Sequence, residues 1–102
     1  MGFLDFLLGK RPYPAEFKAE VDRMIEDLVQ IGQKEDFLSE RSGGPFNAQC
    51  RHVRAREIGA RLEKIGGVEL MDYVIQRIRK RLSPNLAAHL SYAWSEIGKW
   101  VP

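Results

Sequence analysis

The chain has 102 residues, a near-balanced formal charge of +2 and a single cysteine. That length suits one domain with one core, and a lone cysteine excludes an internal disulfide and points to a reducing, cytoplasmic setting. Threonine is absent and Gly and Pro gather in a few short stretches, which argues against a many-stranded β fold. No apolar run approaches the ~20 residues of a membrane span, and the first residues lack the pattern of a secretory signal. The expectation is an all-α domain over 1–102, a small bundle of four main helices plus one or two short ones.

In chain order, Phe3, Leu4, Phe6, Leu7 and Leu8 give residues 1–12 a short apolar segment and a linker ended by Pro12, before a helical core over 13–102. Pro14 suits a first helical position. Phe17, Val21, Met24, Ile25, Leu28 and Ile31 then follow the spacing of one helical face, with Glu20, Asp22, Glu26 and Asp27 on an acidic solvent face and Gly32 as the stop. A short apolar segment at Phe37 and Leu38 precedes the loop Ser42-Gly43-Gly44-Pro45. Asn47 is placed to cap a helix whose inward stripe is Ala48, Ala55, Ile58, Leu62 and Ile65. A reversal at Gly66-Gly67 leads to the stripe Val68, Met71, Val74, Ile75, Ile78 and Leu82. Ser83-Pro84 opens a last helix with Leu86, Leu90, Ala93, Trp94, Ile97 and Val101 inward.

Charge is uneven along this order. Residues 1–45 carry six basic side chains against nine acidic ones, and residues 46–102 carry ten against five. The basic half therefore meets either an external polyanion or the acidic half, within the fold or in a second copy.

Three of the expected helices end in one pair, Ile31-Gly32, Ile65-Gly66 and Ile97-Gly98. The last two segments also match upstream, with Ala55, Ile58, Leu62, Ile65 and Gly66 spaced as Ala87, Leu90, Trp94, Ile97 and Gly98 are. On these residues the chain resembles the stacked helical hairpins of HEAT-like α-solenoid proteins. Its period is shorter than a HEAT repeat, and the Trp, Tyr and Pro signature of tetratricopeptide repeats is missing. The resemblance is one of architecture; it implies a scaffold that binds proteins and names no active site.

Candidate contact residues form three groups. Arg51, His52 and Arg54 lie in the run Cys50 to Arg56. Arg51 shares a face with Ala55 and Ile58, so it serves either as a clamp on Asp36, Glu40 or the carbonyls near Gly43-Gly44, or as part of an anion site with Arg54 and His52. Tyr73, Arg77 and Arg81 stand at successive i, i+4 steps as one ridge, open to phosphates, to an acidic protein surface or to water alone. His89, Tyr92, Glu96 and Trp100 flank the stripe of the last helix, where Trp100 either anchors a partner or closes the bundle end.

Cys50 and His52, two apart on a helix, do not face each other. No set of zinc ligands or nucleophile with base is legible, so no catalytic residue, metal or cofactor is expected, and no small-molecule substrate. The expected function is a non-catalytic protein-interaction module that binds a protein partner or itself. Its alternative is a nucleic-acid-associated protein using Arg51, Arg54, Arg56, Arg77, Lys80 and Arg81.

Overall fold

The computed structural model describes residues 12–34 and 46–102, the side chains of 46–51 excepted. The apolar segment 1–9, the Phe37-Leu38 segment, the Ser42 to Pro45 loop and the side chains of Ala48, Cys50 and Arg51 lie outside the described residues.

Among the described residues the fold is all-α. A 3-10 turn, Ala15–Phe17, follows Pro14 and leads into α1, Lys18–Lys34; α2 spans Phe46–Arg81 and α3 spans Pro84–Ala93. There are three α-helices rather than the four main ones expected. The cause is local: at the Gly66-Gly67 reversal only Gly67 leaves helical geometry, at φ 68° and ψ −159°, so the two expected helices join as limbs of one bent element. That conformation favours glycine, because a Cβ at positive φ meets the backbone.

Side-chain pairings show how far the bend turns the chain. Glu20 and Asp27 of α1 meet Arg61 and Arg54 of the first limb, in reverse order. Tyr13 and Glu26 meet Tyr73 and Arg81 of the second limb, in the same order. The first limb therefore runs antiparallel to α1 and the second parallel to it, and the chain folds back at Gly67.

The core joins Val21, Met24, Ile25, Leu28, Val29 and Ile31 of α1 to Ala55, Ile58, Leu62, Leu70, Met71, Val74, Ile75 and Ile78 of α2. From α3 and the residues after it come Ala87, Leu90, Ala93, Trp94, Ile97 and Trp100. The expected stripes supply most of this set. Val68, however, is exposed, whereas Leu70, which shares a face with Val74 and Ile78 at i, i+4 and i+8, is buried.

Glycine does not stop the helices uniformly. Gly32 lies buried inside α1, which continues to Lys34, Gly66 stays helical, and Gly98 has φ 54°. At the other end, α2 begins at Phe46, one residue ahead of the expected Asn47 cap.

Ser83 caps α3 as expected, its hydroxyl accepting from the Leu86 N–H at 3.1 Å. The helix ends at Ala93 instead of running to Val101. Trp94 lies at φ −88° and ψ 6°, Glu96 at φ 70°, and a turn links the Trp100 N–H to the Ile97 carbonyl. Val101 is consequently 82 % exposed, not inward.

Candidate functional site

Two seams position the surface side chains. Along the first, the acids expected to face water meet arginines of α2. Arg61 donates to both oxygens of Glu20, at 2.6 and 3.0 Å, and its guanidinium carbon lies 5.7 Å from the centre of the Phe17 ring. Arg81 donates twice to Glu26, at 2.8 and 3.3 Å, and Arg54 donates to Asp27 at 3.0 Å. Lys18 and Asp22 pair within α1. Hydrogen bonds from Arg61 and Arg81 hold Glu20 and Glu26 below the ordinary carboxylate range and raise both guanidiniums.

Between these pairs lies a surface groove of about 510 Å³, with Met24 and Ile58 beneath Arg23, Arg54, Arg61, Glu20 and Glu57. A second hollow of about 310 Å³ shares Arg54 and continues along Asp27, Gln30, Ile31 and Lys34. Here the acidic and basic halves of the chain meet within one fold, and two sequence-predicted contact residues, Arg54 and Arg81, are engaged in that meeting.

The second seam fixes α3 on the first limb of α2. The Trp94 Nε1–H donates to the Ala55 carbonyl at 2.9 Å, and the Trp100 Nε1–H donates to that of Ser91 at 2.9 Å. The two indoles meet edge to face with ring centres 5.6 Å apart. Gly59 makes room for this, since a Cβ there would stand 2.5 Å from Trp94 Nε1. Arg56 donates to the carbonyls of Ala93 at 2.6 Å and Ser95 at 3.0 Å, at the end of α3 where unpaired carbonyls collect.

Trp100 is 8 % exposed, so it belongs to the core and offers no surface anchor. The helical wheel that placed it beside His89 and Tyr92 fails because the chain leaves the helix at Trp94. On that flank Tyr92 stands 63 % exposed, and His89 is half-buried. Tyr92 directly precedes Ala93, whose carbonyl is held by Arg56, and Val53, one turn before Arg56, is 54 % exposed.

Tyr73, Arg77 and Arg81 have different surroundings. Tyr73 is half-buried, its ring edge-on to Tyr13 at 6.1 Å, and Arg81 is engaged with Glu26. Arg77 remains exposed, as do Arg79 and Lys80 beside it. His52 is half-buried, and the proposed roles of Arg51 lie outside the described residues.

Sequence reasoning missed the carbonyl clamp of Arg56. Its signal is faint: a single arginine on the flank of the inward stripe gives no hint of a partner 37 residues away. Among the described residues no three His, Cys, Asp or Glu side chains gather as a metal site would need, and no helix is long and apolar enough to cross a membrane. In comparisons with known proteins, no family model, no curated protein and no solved structure matches this chain.

Proposed function

We propose that the protein is a non-catalytic interaction module that docks a protein partner on the outer flank of α3. The observation that carries this reading is Tyr92, an aromatic side chain 63 % exposed on a short helix that Arg56 and Trp94 fix to α2. Aromatic side chains on a rigid support lose little entropy on contact and are enriched among residues that dominate binding energy. Val53, one turn before Arg56, is exposed as well. The nucleic-acid alternative is weakened by the fates of its residues: Arg54 and Arg81 are spent on carboxylates and Arg56 on carbonyls.

A tagged chain and its Tyr92→Ala variant, used as baits with and without nuclease, test the reading. The wild type is expected to retain a protein regardless of nuclease, and Tyr92→Ala is expected to lose it while melting at the wild-type temperature. Equal retention by the two baits removes the role of Tyr92, and release of all bound material by nuclease moves the function to Arg77, Arg79 and Lys80.

A further inference from the structure

We propose that the outer face of the second limb of α2, residues 68–81, is self-complementary and pairs antiparallel with the same face of a second copy of this chain. The face is defined by what the core leaves out. Leu70, Met71, Val74, Ile75 and Ile78 are buried, while Glu69, Asp72, Gln76, Arg79 and Lys80 are exposed. At about 100° per residue the exposed set falls within one arc opposite the buried one. Among the described residues, none of these four charged side chains takes part in the ion pairs of the α1 seam.

Charge along this arc is ordered. The acids Glu69 and Asp72 come first and the bases Arg79 and Lys80 last. Glu69 and Arg79 lie five residues to either side of Val74, and Asp72 and Gln76 lie two to either side. A two-fold axis crossing the solvent face at the level of Val74 therefore sets Glu69 against the partner's Arg79, and Asp72 against the partner's Gln76. Each contact is made twice, as an isologous interface requires. A parallel pairing would instead oppose acid to acid and base to base. Arg81, the cation nearest the end of the limb, is held by Glu26 of its own chain and adds no repulsion. The second copy is thus the occupant that charge complementarity selects.

The expected association is weak. A limb about 20 Å long at ~1.5 Å per residue buries less than the roughly 1,200–2,000 Å² of stable complexes, and exposed ion pairs are screened by salt. This inference does not rest on Tyr92, which lies on α3, so either reading can fail without the other.

Sedimentation velocity over a concentration series, at low and high salt, tests it with the full chain. The wild type is expected to form dimers at low salt and monomers at high salt. Glu69→Arg and Arg79→Glu, each placing like charges together twice, are expected to weaken the dimer at least about tenfold. The double variant E69R/R79E restores opposite charges and is expected to recover it. All these side chains are exposed, so melting temperatures are expected to stay at the wild-type value. A wild type that stays monomeric at low salt overturns the proposal, and so does a dimer that neither single reversal weakens or that the double variant does not restore.

Discussion

The two seams of this molecule use polar side chains in opposite ways. Between α1 and α2, charged pairs flank an apolar stripe, and both partners of each remain roughly 36 to 55 % exposed. Between α2 and α3, polar groups close buried and half-buried gaps: an indole N–H on the buried Ala55 carbonyl, and a half-buried guanidinium on two carbonyls at a helix end. Exposed pairs add little net stability, since water and salt compete for both members. A buried donor or acceptor is costly once its partner is removed. The first seam therefore uses charge to fix alignment, setting Glu20 against Arg61 and Asp27 against Arg54, whereas the second uses polar contacts to hold α3 down.

Three variants sharpen this contrast, from large effect to small. Trp94→Ala removes the largest fully buried side chain among the described residues, and its hydrogen bond. It is expected to cost about 3–5 kcal/mol in urea denaturation, and a loss under about 1 kcal/mol contradicts the importance given to this seam. Arg56→Ala strands the Ala93 and Ser95 carbonyls; about 1–3 kcal/mol is expected, with far-ultraviolet circular dichroism showing a normal native fold. The double variant E20Q/E26Q is expected to shift the melting temperature least, by an amount visible at low salt and lost at high salt. A salt-independent drop as large as that of Arg56→Ala erases the distinction between the seams.

Acid gives a second view of the first seam. Glu20 and Glu26 have folded-state pKa values below the ordinary 4.5, so their contribution is fully present above that value. It fades as pH falls through the lowered folded-state values, where the folded protein must take up the protons. Melting temperatures between neutral pH and pH 3 are expected to hold steady until about 4.5 and then fall, with E20Q/E26Q falling less.

How much of this was legible in the sequence depended on whether a contact is periodic. Val21, Met24, Ile25, Leu28 and Ile31, like Ala55, Ile58 and Leu62, were readable because helical spacing alone puts them inward, and all are buried. Ser83 as a cap was equally local. Reading failed at the edge of one stripe, where Leu70 is buried on the face of Val74 and Ile78 while Val68 is exposed. It failed again where the chain left the helix, since the exit at Trp94 carried Trp100 inward and Val101 outward. Gly32 misled in the other direction, because tertiary packing carries α1 through it. The charge imbalance between the two halves left their meeting as one of two readings, beside an external polyanion, and did not say which arginine meets which acid, since that depends on how far the chain folds back at Gly67.

The pairing of indoles has an experimental consequence. The chain has two tryptophans, and both sit at the junction of α3 with α2, in contact with each other. Intrinsic fluorescence excited in the tryptophan band is therefore a local gauge of that junction, with no emitter on α1. A denaturation curve followed by fluorescence, set beside one followed by helical circular dichroism, separates release of α3 from loss of the helices. Coincident curves would make the protein one cooperative unit. An earlier fluorescence change would make α3 a latch that opens before the rest unfolds.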